Sequence, residues 1–330
     1  MSLRPRIGLL TGDPTGIGPE ITVKLLAMPE TREQAEIIPI GERPVPDVPL
    51  GKVSRVAGAW TLANLRLAAE AIFGGEIDGL VYAPLNKQAM KLAGMQQEDE
   101  MHYLADHLDF RGLCSEINVA DALWTSRVTS HVPLRAVADL ITEQAVYDSI
   151  ALLSRIRGSA RIAVAGLNPH AGEGGLLGTE EIKFIRPAVE RAKADGINVS
   201  GPYPADTLFI AARRGDFDAV VTMYHDQGQI ATKLLGFERG VTLHGGLPVP
   251  VTTPAHGTAY DIAGKGIANP GPIKAAFALA VTLSALGHAN ARPRLSGSTP
   301  QPLPESQSAA SDSPRPTPLS QKHPEPPGPQ

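Results

Sequence analysis

Three histidines of this chain stand where an imidazole could do chemistry: His131 in TSHVPL, His170 in NPHAGEGG and His225 in MYHDQGQ. Each lies just beyond or near the end of a short apolar run that reads as a buried strand, and open α/β sheets bind ligands beyond the carboxyl ends of their strands. Neutral imidazoles converging there would suit a divalent metal and leave room for a substrate. Three imidazoles suit zinc, cobalt or manganese, and magnesium less naturally. A histidine at a strand end also serves as an ordinary hydrogen-bonded structural residue. Separations of 39 and 55 residues are not a local metal motif, so the residues alone leave both readings open.

A second chemistry is written into residues 256–270, HGTAYDIAGKGIANP. Gly257, Gly264 and Gly266 permit close backbone approach to a ligand, Asp261 offers a carboxylate suited to a ribose diol, and Asn269 could read an adenine edge. His256 is expected on the cofactor side, not on a metal. A carboxylate at the ribose repels a 2′-phosphate, so the string favours NAD over NADP. The other glycine-rich stretch, GDPTGIGPEI at residues 12–21, joins a strand to a helix whose free amides could face an anion or could simply pack tightly.

Elements that would position these residues alternate between apolar runs and helical patterns. Residues 7–10, 37–40, 79–82, 161–165 and 218–222 read as buried strands. Helices are expected from Pro19 to about Met28, and over 60–73, 144–156, 180–193 and 272–286, with Pro187 kinking or interrupting the fourth. The alternation means an α/β fold. At 330 residues, 42% hydrophobic and with a formal charge of −4, the chain can bury one large or two modest cores and carries no basic character that would suit nucleic acid. One cysteine, Cys114, excludes an internal disulfide framework, and no apolar run is long enough for a membrane span, so the cytoplasm is the expected compartment. Residues 291–330 hold 11 of the 30 prolines and almost no large apolar side chain, which predicts a disordered tail.

The loop at 256–270 resembles the cofactor loop of the isopropylmalate and isocitrate dehydrogenase superfamily, and GDPTGIGPEI is similar to the GDGIGPE opening found there. Taken in order, GDPTGIGPEI, PLNK, SHVPL, NPHAGEGG with GTEE, GPYPADTLF, YHDQ and HGTAYDIAGKG resemble the 4-hydroxythreonine-4-phosphate dehydrogenase family of vitamin B6 synthesis. The likeness spans nearly all of residues 6–290. It implies a two-lobed α/β/α fold of the isopropylmalate dehydrogenase kind, with a discontinuous cofactor lobe (1–127 and 242–290) and a metal, substrate and dimerisation lobe (128–241). It also implies a metal held by His131, His170 and His225, a homodimer with its site at the subunit interface, and Asp206 and Lys233 at the substrate. The implied reaction oxidises a secondary alcohol β to a carboxylate with NAD, and the β-keto acid then loses carbon dioxide. Lys233 would act there as acid or base, Asp206 would accept a proton or orient the substrate, and Asp226 would orient the ligands.

This chain departs from the family pattern at the substrate. Asp99, Glu100, Met101 and His102 stand where the family carries GHTE, Thr242 replaces an asparagine, and Val251 replaces an arginine. Of the residues expected to hold a phosphorylated substrate, Lys233 remains. Loss of a bidentate arginine and gain of a carboxylate disfavour a phosphate dianion. The expected substrate is therefore an unphosphorylated hydroxy acid or diol carboxylate, met at Glu100, Met101, Thr242 and Val251. The alternatives are the B6-pathway dehydrogenase itself, a non-catalytic relative that keeps the fold, and a scaffold acting through the proline-rich tail. After residue 40 the chain also reaches GKVS at residues 51–54 sooner than the family pattern does.

Overall fold

A computed structural model of the chain describes residues 4–41, 44–236 and 240–287; the expected tail at 291–330 lies outside the described residues. Ten strands form one sheet: β1 (Arg6–Leu10), β2 (Glu36–Pro39), β3 (Gly79–Tyr82), β4 (Ser115–Ala120), β5 (Leu123–Arg127), β6 (Ile162–Ala165), β7 (Val199–Tyr203), β8 (Ala219–Thr222), β9 (Val241–Gly245) and β10 (Val251–Pro254). Their order is β2-β1-β3-β10-β9-β4-β5-β8-β6-β7. The five strands expected from apolar runs are present. In β3, β6 and β8 every residue is buried, because parallel strands covered on both faces read as unbroken apolar segments.

The other five strands had no such signal. β4 (SEINVA), β5 (LWTSR), β9 (VTLHG) and β10 (VTTP) carry polar residues, and these satisfy one another across the sheet, as where Asn118 donates to Thr242 Oγ1 at 3.3 Å. They also set its polarity. β2, β1, β3 and β10 run parallel, β10-β9, β9-β4 and β4-β5 are antiparallel, and β5, β8, β6 and β7 run parallel again. The two parallel groups therefore point in opposite directions.

Eleven α-helices lie among the described residues: α1 (Gly18–Leu26), α2 (Pro29–Gln34), α3 (Arg55–Phe73), α4 (Lys87–Leu92), α5 (Glu100–His107), α6 (Leu134–Leu140), α7 (Glu143–Arg157), α8 (Arg186–Ala194), α9 (Ala205–Arg213), α10 (His225–Gly236) and α11 (Gly271–Ala285). Ser54 and Thr142 cap α3 and α7 by accepting the amides of Ala57 and Ala145, so each helix starts one residue after a free hydroxyl. The segment at 180–193 breaks as its proline requires. Glu181–Ile185 forms a π-turn, and α8 begins at Arg186 with Pro187 in the first turn, where its missing N–H costs nothing. The largest apolar cluster joins Ile7, Ile21, Ile150, Ile162, Val221, Leu243 and Phe277. It runs through the boundaries expected near 127 and 242.

Candidate functional site

The three histidines follow three neighbouring parallel strands. β5, β8 and β6 are adjacent in that order, and their carboxyl ends lead to His131, His225 and His170. The His131 and His225 rings are 5.5 Å apart between centroids. His225 is the first residue of α10, and its Nδ1 lies 2.7 Å from Asp226 Oδ1. His131 Nδ1 lies 3.2 Å from Glu98 Oε1, a residue 33 positions earlier. His170 stands apart. It opens a turn, residues 170–174, whose φ angles are all positive, its side chain is 67% exposed, and its Nδ1 lies 3.0 Å from Glu173 Oε2.

Glu98 reaches His131 because of how α5 begins. Asp99 is extended and buried, and it caps the helix by accepting the His102 amide at 2.9 Å and the His102 ring at 2.7 Å. Burial raises the Asp99 pKa, and these bonds outweigh that effect and hold the carboxyl below its ordinary range. Glu98, Asp99 and His131 each present a ligand atom within 4.8 Å of the others. They line a cavity of about 450 Å³ together with Met101, His102, Glu116 and Arg127.

Arg127 and Glu116 are the charged pair that sequence reasoning missed. Arg127 is 5% exposed inside β5, and it donates to Glu116 Oε2, to Asn118 Oδ1 at 2.9 Å and to Ser130 Oγ at 2.9 Å. Every nitrogen of the guanidinium is engaged. Burial raises the Glu116 pKa, Arg127 opposes it, and the net shift is downward. In so polar a strand as LWTSR nothing in the sequence marks the arginine as buried, and only its partners across the sheet do so. Glu116 also lines a second cavity, about 140 Å³, with His225, Lys233, Thr242 and Ala255. Lys233 lies eight residues along α10 from His225, roughly 12 Å at the helical rise.

Beside these cavities is a buried polar cluster. The Tyr82 hydroxyl donates to Glu100 Oε1 at 3.1 Å and lies 3.0 Å from His244 Nε2. Since the phenol proton goes to the carboxylate, His244 must donate through Nε2, which leaves its Nδ1 lone pair buried without a hydrogen bond; Glu100 Oε2 also lacks one and lies 3.9 Å from Lys87 Nζ. Burial and the nearby Glu100 charge push the Tyr82 pKa well up. The Glu100 carboxylate is thus turned into the protein. Met101 is a core residue, 4% exposed, that also lines the larger cavity. Val251 is fully buried within β10, packs in the apolar cluster of Leu65, Leu80 and Met90, and lines neither cavity. Asp206 sits exposed in the first turn of α9, and α9 packs against the turn that carries His170.

The loop at 256–270 is locked onto the opening motif. Ile17 N donates to Thr258 O at 3.0 Å, and the Tyr260 hydroxyl donates to Asp13 Oδ2 at 2.6 Å. The Glu20 carboxylate accepts the Gly266 and Ala268 amides at 3.1 and 2.7 Å, while Lys24 Nζ donates to the carbonyls of the same two residues. A Cβ at Gly16 would meet Thr258 at 2.8 Å, so glycine there permits the contact. Gly264 and Gly266 have φ of +77° and +75°. Asp261, Gly257 and Gly264 are exposed, and His256 is half-buried with Nδ1 3.0 Å from Gly257 O. Asn269 Oδ1 accepts the Gly271 amide, leaving its amide group free to donate. The loop follows β10, whose direction opposes that of β5, β8 and β6. Loop and histidines therefore leave opposite ends of the strands, and one cavity is lined by both His225 and Ala255.

The chain is similar in sequence and fold to known proteins. Residues 15–280 match the family described as pyridoxal phosphate biosynthetic protein PdxA. A Rhizobium meliloti (strain 1021) protein assigned as 4-hydroxythreonine-4-phosphate dehydrogenase 2 is 43% identical over 326 residues, covering 85% of this chain and 94% of the relative. A crystal structure of a 4-hydroxythreonine-4-phosphate dehydrogenase from Burkholderia phymatum superposes with a TM-score of 0.71 at 36% identity, covering 84% of this chain and 98% of that one. A terephthalate 1,2-cis-dihydrodiol dehydrogenase from Burkholderia xenovorans LB400 gives 0.61 at 27% identity, covering 84% and 98%. The fold alone is shared with a β-decarboxylating dehydrogenase from Thermococcus kodakarensis, TM-score 0.53 at 18% identity, covering 86% and 84%, as expected for an isopropylmalate dehydrogenase-like architecture. The chain belongs to the PdxA family of dehydrogenases.

Proposed function

We propose that this protein is an NAD- and divalent-metal-dependent dehydrogenase that oxidises a secondary alcohol β to a carboxylate, followed by loss of carbon dioxide. The observation that carries the reading is the 5.5 Å approach of the His131 and His225 rings at the mouth of cavities lined by Lys233 and Glu116. Both rings carry their hydrogen bond on Nδ1 and so keep Nε2 for a ligand, which fits zinc, cobalt or manganese, with magnesium less natural. His170 and Asp206 are exposed on neighbouring elements, and His170 makes no ring contact with this pair, so we assign them to the site of a second copy in a homodimer. A bound divalent cation supplies Lewis acidity toward hydroxyl and carboxylate oxygens, and NAD accepts the hydride. Lys233 serves as acid or base at the substrate hydroxyl, and Asp206 accepts a proton or orients the substrate. On the cofactor, Asp261 holds the ribose diol, Gly257 and Gly264 admit close backbone approach, Asn269 donates to adenine, and His256 lies beside the nicotinamide half.

For the substrate the reading is an unphosphorylated hydroxy acid or diol carboxylate. It is supported by the larger cavity, which holds Glu98, Asp99 and Glu116 against one guanidinium already consumed by Glu116, Asn118 and Ser130. Among the described residues that line it, a phosphate dianion would find no free arginine. The relative that acts on a terephthalate dihydrodiol fits this chemistry. The second reading, 4-hydroxythreonine 4-phosphate, is favoured by the names of the relatives of higher identity, 43% and 36% against 27%. Assays of NADH formation across hydroxy acids and diol carboxylates, each with and without phosphate and with several metals, decide between them. Turnover confined to 4-hydroxythreonine 4-phosphate sinks the first reading, and no turnover on any member sinks both.

A further inference from the structure

Each of the three histidines assigned to the metal presents its Nδ1 to a carboxylate, and a different one in each case. His131 faces Glu98 at 3.2 Å, His170 faces Glu173 at 3.0 Å, and His225 faces Asp226 at 2.7 Å. An ionised carboxylate only accepts hydrogen bonds, so Nδ1 must carry the proton. In a neutral imidazole that leaves the lone pair on Nε2. All three rings are thereby set in the same tautomer before any cation arrives. His102 also faces a carboxylate through Nδ1, Asp99 at 2.7 Å at the start of α5, whereas His107 and His256 face backbone carbonyls through Nδ1 and His244 is bonded through Nε2 to Tyr82.

We infer that Glu98, Glu173 and Asp226 are positioning residues for the metal, each fixing the tautomer and ring orientation of one ligand and raising its basicity. Carboxylates behind metal-bound imidazoles act in this way and typically change metal affinity about 10- to 100-fold. The inference rests on the metal reading above. The three pairs are built differently, which argues against a single local habit of the chain. Asp226 is the next residue along α10, and Glu173 is reached through the left-handed turn that begins at His170. Glu98 comes from the loop before α5, held in place by the Asp99 cap. Only tertiary folding brings it to His131.

The test uses full-length Glu98→Ala, Glu173→Ala and Asp226→Ala proteins with Glu98→Gln and Asp226→Asn as conservative controls, which keep an acceptor but lose the charge. Cobalt(II) and zinc(II) dissociation constants by chelator competition, the visible spectrum of the cobalt form, and imidazole ¹⁵N shifts of the metal-free protein are the readouts. The alanine variants are expected to bind metal about 10- to 100-fold more weakly, with altered cobalt spectra, unchanged far-UV circular dichroism and loss of the Nδ1–H signature at the affected ring; the amide controls should fall in between. If the unaltered protein binds cobalt or zinc and all three alanine variants bind equally well, the inference is overturned and the metal reading stands. If the unaltered protein binds neither ion, the metal reading itself fails.

Discussion

The Tyr260 hydroxyl donates to Asp13 Oδ2 at 2.6 Å, joining residues 247 positions apart. Asp13 is 1% exposed, and its other oxygen accepts the Thr15 amide and hydroxyl at 2.9 and 2.8 Å. Removing the phenol oxygen leaves a buried carboxylate oxygen without this donor, a loss of about 1–3 kcal/mol. Tyr260→Phe is therefore expected to lower the urea midpoint and to weaken NAD binding, since the loop loses its anchor to the opening motif. An unchanged midpoint with unchanged NAD affinity would show that the bond holds nothing.

Glu20 tests the other end of the same loop. Its carboxylate accepts two loop amides and pairs with Lys24 at 2.7 Å, and the Lys24 bond is the main cause holding its pKa down. Glu20→Ala should raise the NAD dissociation constant by about tenfold, the equivalent of about 1.4 kcal/mol, while leaving metal affinity alone. Calorimetric titration of both ligands separates these effects.

The placement of His170 away from His131 and His225 makes a prediction about assembly. His170→Ala and His225→Ala proteins should each be inactive. Refolded together from denaturant, random pairing gives about half mixed dimers, each with one intact site if the second copy supplies His170. Activity should then return to about a quarter of the unaltered level, consistent with a C₂ pair. No recovery on mixing would place all three ligands within one chain.

Arg161 clamps the starts of β6 and β8 by donating from Nε and Nη2 to Asp218, whose pKa falls to about 2, chiefly through the Arg161 side-chain hydrogen bond. The folded value lies below the unfolded one, so the contribution is complete above about pH 4 and is lost as pH falls toward 2. Thermal melts should show the unaltered protein losing stability more steeply than Asp218→Asn across that window. Parallel slopes would mean that the pair is fully screened by solvent.

Tyr82→Phe removes the donor to Glu100 and the partner of His244 in one step, within a region where both already have an unsatisfied atom. The cost is expected at about 2–4 kcal/mol, as two buried polar groups lose their bond. Chemical denaturation measures it, and a loss under about 0.5 kcal/mol, the usual size of a surface change, would contradict the pairing.

Much of the fold is legible in one dimension. Buried parallel strands such as Gly79–Tyr82 announce themselves because both faces are covered, and Pro187 marks the place where the helical segment changes from a π-turn to α8, because its ring has no N–H to give. The antiparallel strands at the centre were hidden, since Asn118, Arg127, Thr242 and His244 look like surface residues until their partners across the sheet are known. Glu98, Arg127 and Tyr260 escaped notice for the same reason. Each gains its role from a residue far away in sequence or on a neighbouring strand.

By itself the sequence determined the types of group available: imidazoles after strands, a glycine-rich loop with a carboxylate, and acidic residues where a phosphate site would need cations. Local chemistry sets those features, since turn glycines, strand ends and charge are properties of short segments. Only the tertiary structure decided which groups meet. It brought His131 to His225 and left His170 exposed outside that ring contact, turned Glu100 and Val251 into the interior, and set the loop and the histidines at opposite ends of the strands. Strand order and direction control those distances, and they arise from pairings between segments that no local pattern encodes.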